Sequence, residues 1–410
     1  MTLARRRTKT QGDVGQRVGV ALFVFFTLVG SVATAQEPEP LKKLPSDARK
    51  TIRKAVEGDE QALAKLKALG PLTKKAAEEV QKKVLDKWPF KSLKSGRSKV
   101  ELEFDGTKRE YALYAPKGYN KRRQWPLILS LHGAGGNGPM EINFQWSSNL
   151  SKWKGFVVAP SGQPPSDQWF PGQEKFVLAV LRDVWSKASI DSNRVYCNGF
   201  SNGGNGAWYF AEVHPGTVAA MCTRGGANPN SGLLMNLLHI PTYILHGELD
   251  QVIEVQYDRR DAKKLKEMGY QVIYREVKGG GHLPFNNENG KILDLFRKNP
   301  RDPYVHRVKF RVPHADRAFR YLWLEIPADA ARDVEAQVKG NEIDIKGPPL
   351  ATLWLSDGLV DLDKEVVVRL DGEEVFRGIV PRKLTDLVAD LQARFDRTAP
   401  AFARLEVPQR

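Results

Sequence analysis

A chain of 410 residues with 41% hydrophobic side chains is long enough for a full core and an accessory unit, and too apolar to be a disordered polymer. Its formal charge of +15 is spread without a Walker loop, a zinc finger or interleaved stacking aromatics, which sets nucleic-acid binding aside and leaves a solvated basic surface suited to acidic polymers. The two cysteines, Cys197 and Cys222, have no metal-ligand spacing and fall in apolar runs read as neighbouring strands, so buried thiols are favoured over a disulfide.

Arg5, Arg6, Arg7, Lys9 and Arg17 precede an apolar run over 18–29 that ends in Ala33-Thr34-Ala35. A positive region, a short apolar stretch and a small-residue cleavage site in that order predict a signal peptide over 1–35, and hence a secreted or periplasmic protein without stable membrane insertion. Residues 36–98 are rich in Lys, Ala and Glu with breaks at Gly58, Gly70 and Pro71, which predicts a helical spacer with helices starting near Ser46 and Thr73.

From 99 to 303 the signals alternate. Segments 100–104 and 111–115 predict a hairpin, and buried-strand runs follow at 126–131, 155–159, 195–199, 218–222, 241–245 and 271–277. Helical patterns lie between most of them, at 173–187, 204–213, 255–268 and 290–299. This alternation predicts an α/β fold with a mostly parallel sheet covered on both faces, in which ligands bind beyond the carboxyl ends of the strands.

Four stretches with chemical potential fall at those strand ends. Gly199-Phe200-Ser201-Asn202-Gly203 is a G-x-S-x-G pattern between a strand and a helix, where the turn presents a serine oxygen and the next N–H, that of Asn202, faces a developing oxyanion. His132-Gly133-Ala134-Gly135-Gly136 supplies a second backbone donor, assigned to Ala134. Asp250 follows the strand at 241–245, with a helix-capping role and Glu248 as competing readings. His282 follows three glycines whose loop reads as mobile, and it is the expected general base. The order Ser201, Asp250, His282 is that of α/β-hydrolases. His132 and His246 read as local hydrogen-bonding residues that shape their turns, and no metal or organic cofactor is implied.

The segments 131–133, 191–196, 199–204 and 279–282 together resemble secreted feruloyl and acetyl-xylan esterases and polyhydroxybutyrate depolymerases, α/β-hydrolases of the carbohydrate esterase family 1 type. The resemblance spans about residues 100–300. It implies Ser201 as nucleophile, His282 as base, Asp250 as acid, and an ester substrate that includes polymeric carbohydrate. Leu283-Pro284-Phe285 stands where that family often has Trp-Pro after the histidine, so substrate preference transfers poorly. A prolyl-oligopeptidase-like peptidase and a catalytically silent binding module remain the alternatives.

Residues 304–410 predict a β-rich accessory domain, with strands at 319–326, 342–345, 353–356, 365–370 and 374–379, a turn at Asp371-Gly372 and a closing helix over 382–397. Alternation puts Phe319, Tyr321 and Trp323 on one strand face, as core or as a sugar-stacking row.

Overall fold

A computed structural model describes residues 39–162, 169, 172–330 and 332–407, and the expected signal peptide lies outside the described residues. The chain from 39 onward begins with helices α1 (Ala48–Val56), α2 (Glu60–Lys67) and α3 (Lys74–Val80). Asp59 caps α2 by accepting from the Ala62 N–H at 2.9 Å, and Thr73 caps α3 by accepting from Ala76 at 3.2 Å. Among the described residues no helix is long and apolar enough to cross a membrane.

The middle of the chain carries β1 (Gly96–Phe104), β2 (Thr107–Ala115), β3 (Trp125–Leu131), α4 (Gly138–Glu141), α5 (Leu150–Trp153), β4 (Phe156–Pro160), α6 (Gln173–Lys187) and β5 (Ile190–Phe200). It continues with α7 (Asn202–Val213), β6 (Ala220–Arg224), β7 (Thr242–Gly247), α8 (Val255–Glu267), β8 (Val272–Val277) and α9 (Asn289–Lys298). These strands make one eight-stranded sheet in the order β1-β2-β4-β3-β5-β6-β7-β8. The β1–β2 and β2–β4 pairings are antiparallel, and every pairing from β4 through to β8 is parallel.

Side chains alternate across the parallel strands, so each strand feeds two cores. Leu127, Leu129 and Leu131 of β3 join Val177 and Leu181 of α6, Trp208 of α7 and Leu265 of α8 on one face. Ile128 meets Trp146, Trp153 and Phe296 of α9 on the other. The same alternation separates the cysteines. Asn198, not Cys197, is the register partner of Cys222, so Cys197 belongs to the first core and Cys222 to the second. Both are buried and free.

Beyond α9 come β9 (Arg307–Arg311), β10 (Phe319–Tyr321), β11 (Leu324–Ile326), β12 (Asp333–Lys339), β13 (Glu342–Lys346), β14 (Ala351–Leu355), β15 (Val366–Leu370), β16 (Glu373–Gly378), α10 (Leu384–Arg394) and β17 (Ala403–Val407). They form sheets in the orders β10-β11-β14-β17 and β16-β15-β13-β12-β9, whose apolar faces share one cluster. The single strand expected over 319–326 is two. The chain reverses at Leu322, with φ +54°, and pairs Phe319 with Ile326. Phe319, Tyr321 and Trp323 are all buried in this core, and the Trp323 indole N–H donates to the Val305 carbonyl at 2.8 Å. Asp357 and Asp363 both accept from the buried Arg382 guanidinium, Asp363 at 2.7 Å.

Ile52 of α1, Leu66 of α2 and Val80 of α3 share an apolar cluster with Leu387, Val388 and Leu391 of α10. A second tie is polar: buried Arg301 donates to buried Asp396 at 2.5 Å.

Candidate active site

Ser201 is the residue between β5 and α7, and it sits at φ +56°, ψ −124°. A side chain in that region is strained, and the packing around it explains how the strain is held. The Ser201 N–H donates to the Arg224 carbonyl at 2.8 Å, while the Ser201 carbonyl accepts from Gly204 and Asn205. A Cβ on Gly203 would lie 2.7 Å from the His132 carbonyl oxygen and closer still to that of Leu131. Only glycine lets the end of β3 and the start of α7 approach so closely.

The acid and the histidine arrive from the ends of β7 and β8, with β6 between them and the serine strand. His282 Nε2 lies 2.8 Å from Ser201 Oγ, and His282 Nδ1 lies 2.7 Å from Asp250 Oδ2. Asp250 Oδ1 accepts from the Val252 and Ile253 N–H groups at 2.8 and 2.9 Å. Burial pushes the Asp250 carboxyl up, but the Ile253 N–H, His282 and the Val252 N–H outweigh it and hold the group below the ordinary carboxylate range. Phe200 packs beside the imidazole with ring centroids 5.0 Å apart.

Of the three glycines before His282, Gly280 serves close approach, as does Gly247 at the facing strand end, and Gly279 takes a left-handed φ of +66°. A Cβ on Gly247 would meet the Gly280 carbonyl at 2.5 Å, and one on Gly280 would meet the Phe285 ring at 2.8 Å. The Leu249 N–H donates to Gly280 at 2.7 Å, and the Gly279 N–H donates to Glu248 Oε2 at 2.8 Å. The competing acid Glu248 therefore fastens the base of the histidine loop, while Asp250 meets the histidine itself.

Asn202 follows Ser201 directly and opens α7, so its N–H lies at the positive end of that helix. Ala134 lies in a turn closed by the Gly136 N–H donating to the Gly133 carbonyl at 3.1 Å. Within that turn it is Gly133 that lies against the serine, since a Cβ there would be 3.3 Å from Ser201 Cβ. His132 shapes the turn as expected, with Nδ1 2.7 Å from the Gly133 carbonyl and Nε2 accepting from the Gly162 N–H at 2.8 Å.

Two sets of partners around this site escaped the sequence reading. Fully buried Arg224, at the end of β6, reaches Asn198 Oδ1 at 2.8 Å and the Pro284 carbonyl at 3.2 Å, tying the sheet to the histidine loop. Asn198 and the Trp146 indole both donate to Ser130 Oγ, which donates to Glu141 at 2.5 Å. Burial pushes the Glu141 carboxyl up to about 7, against the pull of Ser130 and Arg224. The second group is His246 and Asp258, where His246 Nδ1 lies 2.7 Å from Asp258 Oδ2 and His246 Nε2 lies 3.3 Å from Asp250 Oδ2. An alternating strand pattern marks His246 as inward-facing, but nothing in the sequence marks Asp258 as its partner.

The strand order, the serine at its strained turn and the histidine and aspartate at the following strand ends define an α/β-hydrolase fold. Residues 174–299 match the model of a family described as Phospholipase/Carboxylesterase. A bifunctional acetylxylan esterase/xylanase of Neocallimastix patriciarum is 30% identical over 159 residues, 37% of this chain and 23% of that protein. Feruloyl esterase D of Neurospora crassa is 26% identical over 215 residues, covering 48% and 68% of the two chains. The chain spans under a quarter of the length of the first two curated relatives, at 23% and 24%. Among solved structures, a ferulic acid esterase superposes with a TM-score of 0.44 at 16% identity, over 50% of this chain and 99% of its own. The resemblance to feruloyl and acetylxylan esterases read from the motifs is thus matched by the relatives found.

Proposed function

We propose that this protein is a secreted or periplasmic serine hydrolase that cleaves carboxylic esters, with acyl or hydroxycinnamoyl groups on polysaccharide or polyester as its substrate class. The observation that carries the reading is the unbroken series of contacts from Ser201 Oγ through His282 to Asp250, with the serine at positive φ. In this reading Ser201 Oγ attacks the ester carbonyl as His282 Nε2 takes its proton, and Asp250 holds the imidazole in the tautomer that can accept it. The Asn202 and Ala134 N–H groups stabilise the oxyanion. His282 then returns the proton to the departing alkoxide, the acyl group stays on Ser201, and water, deprotonated by His282, releases the acid.

Apolar side chains around the site support a bulky acyl group. Leu249 and Val252 flank Asp250, Leu283 follows His282, and Phe144 is 73% exposed with its carbonyl held by Asn286 of the histidine loop at 2.8 Å. Aromatic and aliphatic side chains left in water beside a polar site suit the ring of a hydroxycinnamate. The segment 227–240 bears no lid: its helical turn Ser231–Leu237 packs down, and Asn236 donates to the carbonyls of Glu212 and Arg311.

The test is an active-site serine reagent, followed by turnover on acetyl and feruloyl esters and on aminoacyl-proline amides. Ser201 is expected to carry the label, and Ser201→Ala to lose about three orders of magnitude or more of ester turnover. Label on another residue, or amides cleaved faster than every ester, overturns the proposal.

A further inference from the structure

We propose that His246 and Asp258 are positioning residues for this site: Asp258 locks the tautomer of His246 so that its Nε2–H fixes the Ile253 carbonyl, in the backbone turn whose N–H groups hold Asp250. The inference rests on the reading of Ser201, His282 and Asp250 given above.

Hydrogen accounting on the His246 ring carries the argument. Nε2 hydrogen-bonds the Ile253 carbonyl at 2.9 Å and lies 3.3 Å from Asp250 Oδ2, so that nitrogen must bear the hydrogen. Nδ1 faces Asp258 Oδ2 at 2.7 Å, a contact that holds one proton whichever of the two atoms keeps it. The side chains of His246, Asp250 and Asp258 are all fully buried, so no water can replace these partners. Burying an imidazole and a second carboxylate is costly, and a turn needs neither. Behind Asp250 they steady its surroundings: Oδ1 takes the Val252 and Ile253 N–H groups, Oδ2 takes His282, and His246 holds the Ile253 carbonyl with its Nε2 3.3 Å from Oδ2. Burial lowers the proton affinity of His246, but Asp258 outweighs it and the pair retains its proton.

The elements packed against His246 supply the other charges. Glu276 is its register partner on β8 and is held by Arg259 of α8 at 2.6 Å and by Tyr274 at 2.5 Å. Asp261, one turn beyond Asp258, pairs with Arg260 at 2.8 Å and accepts from Ser231. Each neighbour thus has its own counter-group, and Asp258 is the acid left for His246.

Three variants of the full chain separate the roles. His246→Leu frees the Ile253 carbonyl and removes the polarised Nε2–H edge beside Asp250, so the carboxylate becomes more basic and less fixed. The acid-side midpoint of kcat/KM on a soluble aryl ester is expected to rise by about half a pH unit, and kcat to fall about tenfold to a hundredfold, with KM within twofold. His246→Gln, whose amide N–H reaches the same position, is expected to restore kcat to within about threefold. Asp258→Asn frees the tautomer and is expected to fall between the two. Nitrogen-15 histidine spectra of the parent chain read the tautomer without any substrate: the His246 Nε2 signal stays that of a protonated nitrogen from pH 5 to 8. A His246 signal that titrates within that range overturns the lock, even in an active esterase. A folded His246→Leu variant with parental kcat and midpoint overturns the positioning role. A parent chain that turns over no ester and labels no Ser201 overturns the esterase reading and the catalytic role with it, while the spectra still decide the tautomer lock.

Discussion

Gly203→Ala tests how tightly the strained turn is built. The added methyl would stand 2.7 Å from the His132 carbonyl oxygen, against the roughly 3.2 Å that a carbon and an oxygen need, and nearer still to the Leu131 oxygen. Those carbonyls belong to the end of β3 and to the loop that carries Ala134, so no flexible side chain can move aside. Either the 132–136 loop or the first turn of α7 must retreat by at least about half an ångström, and both carry proposed oxyanion donors. Overpacking of this kind costs about 1–3 kcal/mol of stability. A displacement approaching an ångström costs about a hundredfold in rate. The assay is kcat/KM on a soluble aryl ester beside a thermal melt, with Gly290→Ala as control. Gly290 lies in α9 with open space at its Cβ, so that variant is expected to keep full activity and gain about 0.5–1 kcal/mol. A Gly203→Ala protein that melts with the parent and keeps kcat/KM within about threefold would refute the reasoning.

Glu141 makes the folded state proton-dependent: because burial raises its carboxyl from 4.5 to about 7, the stability it contributes is full below about 4.5 and is lost as pH rises towards 7. The loss is about 3 kcal/mol, so Glu141→Gln should flatten denaturant-derived stability across that window, and curves parallel to the parent's would contradict it. Asp396→Ala leaves Arg301 buried without its carboxylate, and a loss of about 3–5 kcal/mol in urea unfolding is expected. Stability within 1 kcal/mol of the parent would show the pair to be dispensable. Cys197 and Cys222 face opposite sides of the sheet and burial pushes both thiols up, Cys222 to about 11. Neither is expected to react with a thiol reagent until the chain unfolds, and rapid modification of native protein would refute their placement.

The sequence by itself determined the elements whose physics is local. The helix at 173–187 was legible to the residue, because its apolar period and flanking Gly172 are properties of one segment. The serine turn, the two glycine-rich loops and the order of Ser201, Asp250 and His282 were legible because close backbone approach demands glycine at fixed offsets. Strands β9, β12 and β17 were missed: their alternate positions carry Arg, Lys and Glu on an exposed face, which dilutes the apolar signal. The reversal at Leu322 was hidden because nothing local forbids a continuous strand there, and only pairing with β14 decides it. What surrounds the site was decided by tertiary structure alone. Arg224 meets Pro284 across 60 residues, and His246 meets Asp258 across the turn from β7 into α8. Such partners are chosen by which side chains a fold brings together after burial has removed water, and a buried charge or imidazole has no sequence period to announce its partner.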